Sequence, residues 1–497
     1  MSRNGLLFIA APLLLTPAVV CAQGTLSSVA PQSSAPTSAE QVINRTESPF
    51  TGSSSQEPLT DGTIDLTLQD AIKRGIRYNL GLLLSKESER QSRATRLKEL
   101  ANVLPTFDGT LREQVQKINL QAQGLGQVKL PLPGFKLPSS VGPFSTSAAN
   151  AESSWNVFDL HSIDSVRAAD QNVRAAGFTY NDARQTVVLA VATNYLLVIA
   201  ADARVVAERA QLETAKSLFQ LAADQEKAGL TASIDTLRAN VELQSRQQAL
   251  TEAENQLAKQ RITLARTIGL SVHQQFRIND QIPYRLLAEA ELDRAFERAL
   301  QNRPDYLSAL AQLRATELQR KAAWDEYLPS LNFDGSYGVI GLNPGSMSPQ
   351  WTVAGTVKIP IFQGGRVQAD LQQADSALVE SRARVNDLRG RIEQDVENAV
   401  LDLGAAARQI DTATAQLKLA NQTVSQAQDR YRAGVTNNIE VIQAQESLAS
   451  ANDSYINSLY AYNIAKVLLA RAVGIAEQGV LQYLSMPGTQ HAPNPRP

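Results

Sequence analysis

Residues 392–431 read IEQDVENAVLDLGAAARQIDTATAQLKLANQTVSQAQDRY. Within them Ile392, Val396, Ala399, Leu403, Ala406, Ile410, Ala413, Leu417, Ala420, Val424, Ala427 and Tyr431 recur at steps that alternate between four and three. This is a heptad seam, the pattern of a long helix that supercoils against its neighbours. Many seam residues are alanine rather than leucine, so the partner helices must approach closely, and a wide aliphatic core is not expected between them.

The rest of the composition suits rods. A chain of 497 residues carries a soft prior of about three domains, which one long-helix architecture can absorb. Lys plus Arg number 47 and Asp plus Glu 49, a formal charge of -2, which gives no reason to expect nucleic acid as a partner. The charges are interspersed, as on solvated helix faces. Aromatic residues make up 5% of the chain, too few for a large conventional core.

Arg3, the apolar run Leu6 to Val20 and the small residues before Gln23 read as a secretory signal peptide over 1–22. Cys21 invites a lipoprotein reading, but Val20 is larger than the residue lipid-modifying cleavage prefers, so Cys21 is taken as part of the discarded segment. The mature chain would then lack cysteine, which excludes disulfides, thiol nucleophiles and Cys-based metal sites. The apolar run Val187 to Ala201 contains Thr193, Asn194 and Tyr195 and falls short of the ~20 residues a spanning helix needs. It reads as a buried helix. An exported chain without a spanning helix can still cross a membrane if its strands close into a barrel.

In chain order, 23–65 is rich in Ser, Thr, Pro and Gln and reads as a flexible linker. Helical pattern starts at Leu68, breaks near Asn79, and continues to Asn102, where Leu104-Pro105 stops it. Phe107, Gly109, Leu111, Glu113 and Val115 alternate with Asp108, Thr110, Arg112 and Gln114, predicting a strand. Residues 116–146 are rich in Pro and Gly and read as a loop suited to binding. A return strand fits Ala149 to Phe158. Helices follow over Ile163 to Lys227 and Ile234 to Thr267, separated by Ala228-Gly229-Leu230-Thr231 and ended by Gly269. At 1.5 Å per residue the longer spans on the order of 100 Å.

The chain then repeats. Leu68 to Ile72 is answered by Leu292 to Phe296, and Leu104-Pro105 by Leu328-Pro329, both at an offset of 224 (292 minus 68; 328 minus 104). Phe158 is answered by Phe362 at 204, and Ala228-Gly229-Leu230-Thr231 by Ala433-Gly434-Val435-Thr436 at 205. The sequence therefore divides into a first repeat over 66–270, with a hairpin at about 106–158 and a tip near 229, a connection over 271–290, and a second repeat over 291–475. The second hairpin falls at about 330–361, its tip near 434, and a tail occupies 476–497. Leu331, Phe333, Tyr337 and Val339, then Trp351, Val353, Val357 and Ile359, alternate with polar residues, as in a membrane barrel wall around a wet lumen. A soluble sandwich strand looks similar. In lipid, four strands with open edges require oligomerisation to close the barrel.

The residues assembled so far resemble the outer-membrane efflux protein family, the TolC-like channels. The likeness runs from about Leu66 to Gly474 and rests on the order helix, Leu-Pro, strand pair, long helix, Gly turn, return helix in both repeats. Ile359-Pro360-Ile361-Phe362-Gln363-Gly364-Gly365 and Tyr431-Arg432-Ala433-Gly434-Val435-Thr436 stand within it. The resemblance implies a mainly α fold with a transmembrane β-barrel: a homotrimer, a 12-stranded barrel in outer-membrane lipid, and a periplasmic α-helical tunnel built from the duplicated hairpins and long coiled-coil helices. It implies contact between a periplasmic adaptor protein and the tips at Gly229, Leu230, Thr231, Gly434, Val435 and Thr436. An inner-membrane transporter would supply the energy. For the tip glycines, simple helix capping is the competing reading.

The family's constricting acids match Glu440 and Gln443, so each chain keeps one carboxylate and a trimer would carry one acidic ring, favouring cations. Asp235 matches a gate residue, while Thr436 stands where the best-known form has its Arg partner, so that latch lacks its cation here. Both carboxylates also fit solvated positions near helix starts. The resemblance implies an exit duct for tripartite efflux or type I secretion, with no cofactor, no metal and no catalytic residue. Sequence agrees on the last point: His161, His273 and His491 are scattered, and no phosphate loop, dinucleotide fingerprint or nucleophile elbow occurs. An exported structural coiled coil, a fibre or adhesin-like stalk, accounts for the heptads and the leader but not for two matched strand pairs.

Overall fold

The computed structural model describes residues 48–54, 62–123, 138–280, 287 and 294–484. The signal peptide, the segment Leu130 to Phe135 and the end of the tail lie outside them. The first half contains β1 (Ile64–Leu66), α1 (Leu68–Tyr78), α2 (Leu80–Ala101), β2 (Thr106–Asn119), β3 (Ser140–Phe158), α3 (Leu160–Lys227) and α4 (Ser233–Ile268). After β4 (Phe276–Ile278) come α5 (Ala295–Asn302), α6 (Pro304–Asp325), β5 (Ser330–Gly341) and β6 (Ser348–Lys358). The chain then forms α7 (Arg366–Arg432), α8 (Asn438–Ala472) and α9 (Ala476–Leu484). The 68 residues of α3 and 67 of α7 make rods of about 100 Å each.

Every seam residue from Ile392 to Tyr431 is buried in α7 except Leu417, which is half-buried. Midway along, Ile392, Val396, Ala399 and Leu403 pack against Leu459, Tyr462, Ala465 and Leu469 of α8. Towards the far end Val424, Ala427 and Tyr431 join Leu218 and Ala222 of α3, Ala239 of α4, and Val441 and Ala444 of α8. The run Val187 to Ala201 is buried apart from Leu197, which is half-buried, and forms the heart of the largest apolar cluster. One described helix, α3, is long and apolar enough to cross a membrane, but its most apolar window is packed inside the protein.

Asn79 is what divides α1 from α2. Its side-chain Oδ1 accepts from the Gly81 and Leu82 amides at 2.9 and 3.4 Å, capping α2. Its Nδ2 donates to the Phe50 carbonyl at 2.7 Å. The Phe50 ring lies where a Cβ on Gly81 would sit, 2.4 Å away, so this position excludes any larger residue. Residues 48–54 are thus seated on the helices although they belong to the stretch read as a flexible linker. Ile64–Leu66 likewise pairs in parallel with Phe276–Ile278. The linker reading fails at these two places because short segments held by backbone bonds and one aromatic contact leave no periodic trace.

Four antiparallel strands form one sheet in the order β2-β3-β5-β6. Register sorts its faces: Phe333, Tyr337, Trp351, Val353, Ala151 and Phe107 fall on one, and Asp334, Ser336, Thr352, Glu152 and Asp108 on the other. The strands run further than the apolar alternation suggests. Asn119 pairs with Ser140 and Val115 with Ser145, so much of the stretch read as a loop is ladder. Its residues are largely polar or small, and backbone pairing, joined by hydrogen bonds from Thr146 to the Gln114 carbonyl and from Ser147 to the Glu113 carboxylate, extends β3 back from Ala149 to Ser140.

Close helix approach leaves no room for bulk at the alanine positions. Ala427→Leu, at a site only 2% exposed, should cost about 1–3 kcal/mol through overpacking. A lowered midpoint in thermal unfolding of the detergent-solubilised protein measures it.

Candidate functional site

The two hairpin tips lie at the end of the rods opposite the sheet, and both are built the same way. Gly229 and Gly434 take φ of +70° and +71°, the left-handed region that favours glycine. At the first tip the Gly229 amide donates to Glu226 O at 2.9 Å and Leu230 to Gln225 O at 2.8 Å. At the second, Gly434 donates to Tyr431 O and Val435 to Arg430 O, both at 3.0 Å. This is the Schellman arrangement, in which the residue after the glycine normally packs an apolar side chain back onto the helix. Here that helix position is Gln225 or Arg430, and Leu230 and Val435 stay 75% and 69% exposed. Thr231 and Thr436 are half-buried beside them.

The tips are tied together within one chain. Asn438 Nδ2 donates to the Asp235 carbonyl at 2.6 Å, joining the start of α8 to the start of α4. Asn438 is fully buried. The Asp235 carboxylate sits in the first turn of α4, where the helix dipole favours it, with Arg238 at 3.4 Å. Beneath it is Tyr431, whose hydroxyl is buried without a hydrogen-bond partner among the described residues. Burial, reinforced by the charge of Asp235, raises the phenol above its ordinary pKa.

Glu440 occupies the first turn of α8 and is half-buried. Thr436 Oγ1 donates to its Oε2 at 2.5 Å, and Arg430 Nε lies 3.3 Å from its Oε1. Gln443 is exposed and is not drawn into this group. Sequence reasoning placed Thr436 where a cation was wanted and missed Arg430. The signal was available: Arg430 is on the last turn before Gly434, and a tight reversal returns the chain past it. Asn438 gave no such signal, because its partner is a main-chain oxygen on another hairpin.

A family model described as outer membrane efflux protein matches residues 83–270 and 295–475, most of the chain and both of its halves. The chain belongs to the outer membrane efflux protein family. The pyoverdine export outer membrane protein OpmQ of Pseudomonas aeruginosa is 25% identical over 430 residues, covering 84% of this chain and 87% of that one. The outer membrane protein TolC of Vibrio cholerae is 25% identical over 358 residues, covering 67% and 78%. Among solved structures, the CmeC outer membrane channel of Campylobacter jejuni superposes with a TM-score of 0.71 at 19% identity, over 86% of this chain and 92% of that one. Family membership makes this chain an outer-membrane efflux channel protein.

Asn438→Ala removes the bond between the hairpins at a fully buried position. The expected loss is about 1–3 kcal/mol, seen as a lower unfolding midpoint and as faster proteolysis confined to the tips.

Proposed function

We propose that three copies of this chain form the exit duct of a tripartite efflux or type I secretion assembly, conducting substrates passively across the outer membrane. One observation carries the reading: the four-stranded sheet has an apolar, aromatic face and two open edges, β2 and β6, in a protein of the outer membrane. Lipid does not tolerate open edges, so β6 of one copy must pair with β2 of the next. Three copies of four strands give a closed barrel of twelve. The staves then continue as a tunnel whose small seam residues let the helices lie side by side around an open middle.

Leu230 and Val435, held outward by rigid glycine turns, supply apolar anchors for a helical hairpin of a periplasmic adaptor. The inner-membrane transporter beyond that adaptor supplies the energy. Glu440, repeated by the threefold axis, makes one acidic ring near the tips, tempered by Arg430. Asp235, held by Arg238 within its own chain, lines the gate without an Arg at position 436. The strand pairs favour this reading over a structural fibre, which has no use for a sheet with one aromatic face.

Reconstituted in a planar bilayer, the assembled oligomer should give discrete conductance steps with a preference for cations. Glu440→Gln should move that preference toward parity, and Arg430→Gln, which leaves the carboxylate uncompensated, should strengthen it. A correctly assembled oligomer without pore activity would overturn the proposal.

A further inference from the structure

Below the sheet, α3 of the first half lies against α6 of the second. Asp164, in the second turn of α3, has a side chain that is fully buried. Arg167 Nη1 reaches its Oδ1 at 2.8 Å, and Lys321 Nζ of α6 lies 2.7 Å from its Oδ2. Asp325, the last residue of α6, is 4% exposed, and its carboxyl group interacts with that of Asp164. Its Oδ2 is buried and has no hydrogen-bond partner among the described residues. Both nearby cations bind Asp164, and Arg366 of α7 binds Glu326 at 3.0 Å, so among the described residues none forms an ion pair with Asp325, although Lys321 and His161 act on it from further away.

A buried carboxylate oxygen without a donor is costly, and two facing carboxylates resist ionising together. A single proton removes both costs. We propose that Asp164 and Asp325 share one proton, and that this buried pair is a proton-binding clamp joining the two halves of the chain where the tunnel meets the sheet.

The duplication offers an internal comparison. With the offsets of 204 and 224, Asp164 corresponds to Gln368 (164 plus 204), Asp325 to Ala101 (325 minus 224), and Lys321 to Leu97 (321 minus 224). The equivalent positions in the other copy carry no ionisable group, so the charged cluster belongs to this junction of the two halves and is not a feature of both repeats. The remaining titratable neighbours are few. His161 Nδ1 is 2.9 Å from the Ala322 carbonyl and 3.5 Å from Glu326 Oε1, and Arg96 of α2 is taken by Asp170.

Burial raises the Asp325 carboxyl and the neighbouring Asp164 carboxyl raises it further, outweighing Lys321 and His161, which act the other way. Burial also pushes Asp164 up, but hydrogen bonds from Lys321, Arg167 and Asp325 outweigh it and hold that group below its ordinary value. The signs follow from linkage. The Asp325 contribution is fully present below the ordinary carboxylate pKa and is lost as pH rises through its raised value. The Asp164 contribution is present above the ordinary value and is lost as pH falls through its lowered one. The clamp is strongest between the two steps, where the pair holds one proton.

Infrared difference spectra of the assembled, full-length protein, titrated upward from acid, test the clamp. The expected result is a protonated-carboxyl band that persists above the ordinary carboxylate pKa of about 4, vanishes in Asp325→Asn, and survives Glu208→Gln. The last variant matters because burial also raises Glu208. Asp325→Asn should also flatten the alkaline fall of the unfolding midpoint. A band that titrates with ordinary carboxylates, or an Asp325→Asn profile parallel to the parent, would overturn the proposal. If Asp325→Asn does not assemble, the parent and Glu208→Gln titrations decide: no surviving high-pH band refutes the shared proton. Channel activity is not part of the readout, so these outcomes stand apart from those that test the duct.

Discussion

Alanine at Ala399, Ala406, Ala413, Ala420 and Ala427 sets how near the long helices of this protein come to one another. Short side chains bring backbones together, so contact is made along a line rather than through a thick core. A helix of about 100 Å gains its stability from many such small contacts, each unable to hold the rod alone. The consequence is contact without a thick core, and the low aromatic content of the chain reflects this.

The rods must end, and their two ends use opposite solutions. At the tips the chain reverses within a few residues, through glycines whose positive φ values match to within a degree or so between the two halves. The same pairing recurs at the return-helix ends, where Gly269 and Gly474 take +80° and +82°. At the other end the rods pass into extended strands, which can meet neighbours edge to edge without a core of their own. The rigid turns keep Leu230 and Val435 exposed, while the sheet turns its aromatic residues to one face. Both apolar surfaces are made by backbone geometry and not by side-chain choice alone.

The elements legible in the sequence are those that repeat. The α7 seam, the break at Asn79 and the glycine turns each carry a periodic or stereochemical mark, and their positions could be read from residue identity. Leu417 belongs to the seam by spacing yet is half-buried, because it falls between Ile410, the last α7 residue of one apolar cluster, and Val424, the first of the next. What escaped was held by contacts that leave no pattern. The outer parts of β2 and β3 pair mainly through backbone, with polar side chains and no apolar alternation. Phe50 docks by a single ring against Gly81, and Arg430 meets Glu440 only once the chain has reversed.

Duplication explains why the second class of contact is also the more informative. Two copies of one unit need the same seams, caps and strands, so those features are constrained twice and differ little. Contacts present in one copy only are free of that constraint. The link from Asn438 to Asp235 joins the copies at the tips, and the cluster of Asp164, Lys321 and Asp325 joins them near the sheet. Each lies between the first half and the second. Polar and ionic groups at these two places tie one hairpin to a particular partner, which uniform alanine seams cannot do. Tightness along the rods is therefore generic, and the order in which the rods stand is set at their ends.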